Sequence, residues 1–236
     1  MCKLQSSGIP SVFFFILALY IQTGPVLRAQ PFRVYGKIRC YKTKELIPAK
    51  VTFEKQPDAG LTFISQVSEE GYTASIARPG TYLLKASLPG YIPELHKLNL
   101  DHDSLKSKDK IVCDFNLVPI MLDEILPFRN ILFEPASSVI SRLAQPELGL
   151  LLEILKENPK IFIRLEGHTD NVSKSRRSLS LAKKRIKAVK KYLTDNSIRP
   201  ERIELKAFGG GNPLVNTGNI DAHKVNRRVE IRVTAL

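Results

Sequence analysis

The chain reads as α+β: an antiparallel β-sandwich first, then a two-layer α/β sandwich with its elements in the order βαβαββ. Three observations predict this. From Phe32 to Leu117 the texture is that of short alternating strands broken by turn residues. After Leu126 strand patterns alternate with helical ones. One helical segment, Leu179 to Leu193, carries the clearest apolar period in the molecule.

The N-terminus comes first. Lys3 supplies the only early charge, Val12 to Ile21 is apolar, and Gly24-Pro25 breaks the run. Leu27-Arg28-Ala29 has the small-residue spacing of a cleavage site, so residues 1–29 read as a secretory signal peptide with Gln30 the new N-terminus. The run is short for a membrane span, although an uncleaved anchor is the alternative. Cys2 precedes the apolar run and cannot be a lipidation site behind it. The formal charge of +13 suggests an anionic neighbour. Export makes nucleic acid a poor one, so a wall polymer or lipid surface is the better expectation.

Residues 31–118 form the first expected domain. Phe32, Val34, Gly36, Ile38 and Cys40 alternate with more polar neighbours, as do Val51 with Phe53, and Tyr82, Leu84, Ala86 with Leu88. Gly60, Gly71, Pro79-Gly80 and Pro89-Gly90 punctuate them. Asp101 to Lys110 is polar and reads as an exposed loop; His96 and His102 with Asp101 and Asp103 fit no standard metal spacing. Cys40 and Cys113 lie near the two ends of this domain. They can pair as a disulfide in an exported protein or remain buried free thiols. Residues 119–127 read as a linker.

Residues 128–236 form the second expected domain. Ile131-Leu132-Phe133 reads as its first strand. Pro146 suits a helix start, Leu148, Leu151, Leu152 and Leu155 follow at helical spacing, and Asn158-Pro159 stops the helix. Ile161, Ile163 and Leu165 mark the next strand. In the long helix Leu179, Ala182, Ile186, Val189 and Leu193 form one face, while Lys183, Lys184, Lys187, Lys190 and Lys191 point away. Arg185 falls on the margin of the apolar stripe, apart from the lysines. Ile203, Leu205 and Ala207, then Val229, Ile231 and Val233, are the last two strands, with a glycine-rich loop between them. From Asn171 to Thr194 there are nine basic residues and no acidic one, so this face is either simply solvated or attracts an anionic surface.

Two resemblances add to this reading. Val34-Tyr35-Gly36-Lys37-Ile38, Ile47-Pro48-Ala49-Lys50-Val51, Gly71-Tyr72, Gly80-Thr81-Tyr82 and Pro89-Gly90-Tyr91 resemble the carboxypeptidase regulatory-like (transthyretin-like) family. That resemblance implies a seven-stranded sandwich without catalytic residues, serving as spacer or docking module. Ile131-Leu132-Phe133-Glu134, Gly167-His168-Thr169-Asp170, Leu181 with Arg185, Tyr192-Leu193, Ile198 with Arg202-Ile203, Pro213, Asn216, and Asn226-Arg227-Arg228-Val229-Glu230-Ile231 resemble the peptidoglycan-binding C-terminal domain of the OmpA family.

The second resemblance implies that Asp170 and Arg185 grip diaminopimelate of the peptidoglycan stem peptide. The carboxylate would take the ligand's ammonium group, and the guanidinium fork would take its carboxylate. Secondary contacts are expected from Phe133, Thr169, Ser178, Asn226, Arg227 and Arg228. Of the last two, one is expected on the ligand and one on Glu230 or Glu166. His168 is expected to pack or bond locally. The sequence departs from the family pattern at Ser173, Ser178, Ala182, Ile186, Ala207 and His223, which bears on affinity more than on fold.

The expectation is therefore a periplasmic, wall- or outer-membrane-associated protein. It is non-enzymatic, needs no cofactor or metal, and has peptidoglycan as partner and an envelope protein as a possible second one. The alternatives are a scaffold that has lost the ligand and, behind it, a cell-wall hydrolase. No nucleophile stands convincingly beside His168 in the sequence.

Overall fold

The computed structural model describes residues 31–57, 62–76, 79–100, 110–128, 131–170, 175–215 and 225–236. The expected signal peptide, the Asp101–Asp103 group with most of its loop, and Ser173, Asn216 and His223 lie outside the described residues. Pro31–Leu236 forms one compact unit. It contains two separate hydrophobic clusters.

The first cluster is built by strands from β1 to β11. These are β1 (Phe32–Gly36), β2 (Ile38–Cys40), β3 (Lys50–Gln56), β4 (Thr62–Ile64), β5 (Gln66–Ser68), β6 (Gly71–Ile76), β7 (Gly80–Ser87), β8 (Tyr91–Ile92), β9 (Glu94–Leu100), β10 (Lys110–Val112) and β11 (Phe115–Pro119). They pair in the orders β10-β1-β6-β5, β4-β3-β7-β9 and β2-β11-β8. Val34, Tyr72, Ala74 and Ile76 from the first sheet meet Val51, Phe53, Tyr82, Leu84 and Ala86 from the second in one core. The two-residue period of each strand puts these side chains on a single face.

The β1–β2 stretch runs parallel to the β10–β11 stretch. Cys113 N–H donates to Tyr35 O at 2.9 Å and Phe115 N–H to Lys37 O at 2.9 Å, so the ladder bridges both breaks. This register decides the cysteine question. Cys40 is level with Leu117, four residues beyond Cys113. At about 3.3 Å per residue the offset is about 13 Å, beyond the roughly 7 Å that a disulfide spans between Cα atoms. Of the two alternatives the structure has the free thiols.

The second cluster lies over a three-stranded sheet of order β13-β12-β14: β12 (Phe162–His168), β13 (Ile203–Gly209) and β14 (Val229–Ala235). β13 is parallel to β12 and β14 antiparallel. Helices α1 (Gln145–Glu157) and α2 (Arg176–Asp195) cover one face. α1 carries Pro in its first turn and ends where Asn158 caps Ile154 O through its backbone N–H at 3.0 Å and its amide at 2.8 Å. α2 starts at Ser175, whose hydroxyl accepts from Ser178 N–H at 3.2 Å. It buries Ala182, Ile186, Val189 and Leu193. Gly167 lets the helix approach: a Cβ there would stand 2.8 Å from both Ala182 O and Ile186 Cγ2.

Three details differ from the sequence reading. The expected first strand shrinks to a single bridge between Leu132 and Arg228. Phe133 N–H still donates to Arg227 O at 3.1 Å, but Pro135 follows closely and has no N–H to extend the ladder. Lys190 does not point away; its ammonium donates to Pro200 O and Ile203 O at 2.8 Å each. Residues 119–127 are no loose spacer either. Leu126 N–H donates to Ile231 O, Asp123 N–H to Val233 O and Val233 N–H to Glu124 O, at 2.8 to 3.0 Å. Ile120 and Leu126 are buried in the second cluster.

Candidate functional site

The end of β12 delivers Thr169 and Asp170, α2 delivers Arg185, and the approach to β14 delivers Asn226, Arg227 and Arg228. Arg185 is not marginal but fully buried, in line with Ser178, Ala182 and Val189. Its Nε donates to Ser137 O at 2.9 Å, one terminal nitrogen to His168 O at 3.2 Å and the other to Glu134 O at 3.0 Å. The Phe133 ring lies beneath the guanidinium, 5.2 Å from centroid to Cζ. Burial pushes the Arg185 pKa down to about 10, the Asp170 carboxylate nearby raises it, and the neighbouring Arg227 lowers it. The group is therefore still a cation at neutral pH.

Asp170 and Arg185 do come into one cluster, but the direct partner of the carboxylate is Arg227. An Arg227 terminal nitrogen donates to Asp170 Oδ2 at 3.0 Å, and Arg227 Nε donates to Phe133 O at 3.1 Å. Phe133 thus fixes both arginines, one with its ring and one with its carbonyl. The Asp170 side chain keeps 30% exposure, against 11% for Arg227. Two guanidinium groups face one carboxylate here. Among the described residues, that leaves one positive charge in excess, on buried guanidinium groups beside a partly exposed carboxylate.

The other expected contacts divide. Thr169 is buried, its hydroxyl has no hydrogen-bond partner among the described residues, and its N–H donates to Gly209 O at 2.9 Å. The Ser178 hydroxyl donates to Ser175 O at 2.9 Å within the first turn of α2. Asn226 braces a loop: its Oδ1 accepts from Leu214 N–H at 2.8 Å and Val215 N–H at 3.3 Å, while Nδ2 donates to Val215 O at 2.8 Å. Arg228 faces the other side of the sheet and pairs with Glu230 at 2.7 Å.

That other face carries a charge network. Glu166 and Glu230 are direct cross-strand neighbours, a repulsive placement if left alone. Arg164 at 3.0 Å and Arg232 at 2.9 Å hold Glu166, whose pKa falls despite burial because both arginines donate to it. His168, 3.5 Å away at the outer limit of hydrogen bonding, and then Arg228 hold Glu230 down to about 2. The His168 ring stacks on Phe208 at 5.2 Å. Glu166, His168 and Glu230 bring ligand atoms within 4.8 Å of one another, but both carboxylates already serve arginines. The group is an ion-pair network by composition.

The sequence reading missed a second cluster. His96 Nδ1 lies 3.2 Å from Cys113 Sγ, and its Nε2 lies 3.0 Å from Glu94 Oε1. The spacing of Glu94 and His96, two apart on a strand, was the available signal; nothing local pointed to Cys113.

Comparison with known proteins places the C-terminal part in context. Residues 132–227 match the model of the OmpA family. This part of the chain is thus OmpA-like. A peptidoglycan-associated lipoprotein of Pseudomonas putida is 32% identical over 100 residues, covering 42% of this chain and 60% of that protein. Outer membrane porin F of Pseudomonas aeruginosa is 23% identical over 126 residues, covering 53% and 36%. The chain therefore spans less than two thirds of the length of these relatives. The crystal structure of the peptidoglycan-associated lipoprotein from Burkholderia pseudomallei aligns over 45% of this chain and 90% of its own, with 24% identity and a TM-score of 0.43. No helix among the described residues is long and apolar enough to cross a membrane.

Proposed function

We propose that the OmpA-like part binds peptidoglycan non-covalently, in the periplasm, at the doubly charged centre of an uncross-linked diaminopimelate. The ligand's ammonium group takes the exposed side of Asp170. Its carboxylate takes the excess positive charge of Arg185 and Arg227. One observation carries this reading: one carboxylate and two guanidinium groups are fixed around Phe133. Charge-assisted bonds of this kind contribute about 1.5–3 kcal/mol each. Demanding both charges rejects ligands that lack either. The strand-rich part, residues 31–118, serves as a carboxypeptidase regulatory-like sandwich that docks to another envelope component, with the OmpA-like domain following from residue 128.

The test is co-sedimentation of the protein with isolated peptidoglycan sacculi, with and without free diaminopimelate. Binding that free diaminopimelate displaces, and that Asp170→Asn abolishes, is the expected result. Binding that ignores both overturns the assignment. A second reading has one observation behind it: Arg185 already gives three donors to backbone carbonyls. On that reading the domain is a scaffold without the ligand, and sacculi sediment without the protein.

A further inference from the structure

Glu94 and His96 stand on one face of β9, opposite Cys113, the residue that follows β10. The imidazole is fixed on three sides. Its Nδ1 meets Cys113 Sγ at 3.2 Å, its Nε2 meets Glu94 Oε1 at 3.0 Å, and its ring lies on Phe115 at 4.5 Å and 20°. The other carboxylate oxygen of Glu94 accepts from Asn116 N–H at 2.6 Å, so the carboxylate is fixed too. An ionised carboxylate only accepts, which puts the ring hydrogen on Nε2 and leaves the Nδ1 lone pair facing the sulfur. The thiol is then the donor in the S–H to Nδ1 contact.

The backbone of Cys113 is equally constrained. Tyr72 donates its hydroxyl to Cys113 O at 2.7 Å. Gly36 passes so close that a Cβ there would stand 2.0 Å from the same oxygen. The site is still open to a small reagent: Cys113 is half-buried, and the side chains of His96 and Glu94 are each 34% exposed.

We propose that Cys113 is a thiol–disulfide exchange site for low-molecular-weight disulfides, with His96 as its base and Glu94 as the positioning residue. The order of nucleophile, base and orienting acid is that of an activated nucleophile. In the step, the thiol proton passes to His96 Nδ1 as Sγ bonds to one sulfur of the disulfide. The S–S bond breaks, and the departing sulfur keeps its electron pair and takes the proton from Nδ1. Cys113 ends oxidised in a mixed disulfide, and the other half of the reagent is reduced to a thiol.

The base is needed. Burial pushes the Cys113 thiol pKa up; the Tyr72 hydroxyl lowers it, and the Asp114 and Glu94 carboxylates raise it further. A resting thiolate is therefore scarce. Cys40 does not resolve the product, being 4% exposed and about 13 Å away along the strands. The outcome is a capped thiol rather than a two-cysteine cycle. This site does not depend on the wall-binding reading.

The experiment treats the full chain with oxidised glutathione at neutral pH and maps the adducts by mass spectrometry. A mixed disulfide at Cys113 and none at Cys40 is expected. His96→Gln slows its formation at least about tenfold, a threshold set below the roughly 10²–10⁴-fold of general-base effects. Glu94→Gln slows it several-fold at an unchanged melting temperature, and Glu94→Asp recovers part of the rate. The proposal is overturned if Cys113 in the unsubstituted protein reacts no faster than Cys40. It is also overturned if His96→Gln, folded, reacts at the parent rate. Should His96→Gln fail to fold, an unchanged rate in Glu94→Gln overturns it instead.

Discussion

Replacing Arg185 by methionine is the perturbation that most directly probes how the candidate site is held. The side chain is fully buried and donates to the carbonyls of Glu134, Ser137 and His168. Methionine has similar reach and no donors, so all three acceptors lose a charge-assisted partner. Each such bond contributes about 1.5–3 kcal/mol, but the Glu134 and Ser137 acceptors are only partly buried, and water recovers some of the loss. A net destabilisation of about 3–5 kcal/mol follows from the acceptors left unpaired, at about 1–3 kcal/mol for each one that stays buried. At about 2–4 °C per kcal/mol for a chain of this size, the melting temperature drops by about 6–20 °C. Arg185→Lys should fall between, because a single ammonium cannot fork to three carbonyls. Thermal melts followed by circular dichroism provide the measurement. A methionine variant that melts within about 2 °C of the parent would refute the structural role of the guanidinium. Loss of wall binding in that variant alone says nothing about ligand contact, which is why Asp170→Asn is the cleaner binding test.

Three further outcomes are expected. The Glu230 pKa, lowered from 4.5 to about 2, makes the folded state bind that proton more weakly than the unfolded state. The resulting stabilisation, at most about 3 kcal/mol, is complete above about pH 4.5 and is lost as pH falls toward 2. Denaturant titrations over that window should show the loss, and Glu230→Gln should flatten it. Gly167→Ala forces a methyl to within 2.8 Å of Ala182 O and Ile186 Cγ2, and the overpacking should cost about 1–3 kcal/mol; an unmoved melting temperature contradicts the close approach. Lys183, Lys184 and Lys187 are exposed on α2. Their triple change to glutamine should weaken association with sacculi at about 50 mM salt and have no effect at about 500 mM, because added ions screen exposed charges; equal weakening at both contradicts a screened contribution.

Much of the OmpA-like part was legible because its apolar residues keep one period over long elements. Ala182, Ile186, Val189 and Leu193 in α2, with Ile163 and Leu165 in β12, needed no partner to be read. The first strand was overread because two hydrogen bonds and a proline made a bridge of what composition suggested was a strand. Arg185 was misplaced by a small angle on the helix. Its burial depends on carbonyls in the Glu134–Ser137 turn, about fifty residues away, and no local pattern records that. The same holds for Lys190 folding onto Pro200 O, for Asn226 bracing the 214–215 loop, and for Arg227 rather than Arg185 meeting Asp170. The choice between a disulfide and free thiols stayed open because it depends on the register of β2 against β11, which is invisible in either strand alone.

The segment from Ile120 to Leu126 is stitched along β14 by Asp123, Glu124 and Leu126. It therefore acts as a seam rather than a hinge. A tug on the strand-rich part reaches the OmpA-like sheet through several backbone hydrogen bonds at once, with no slack to take up first.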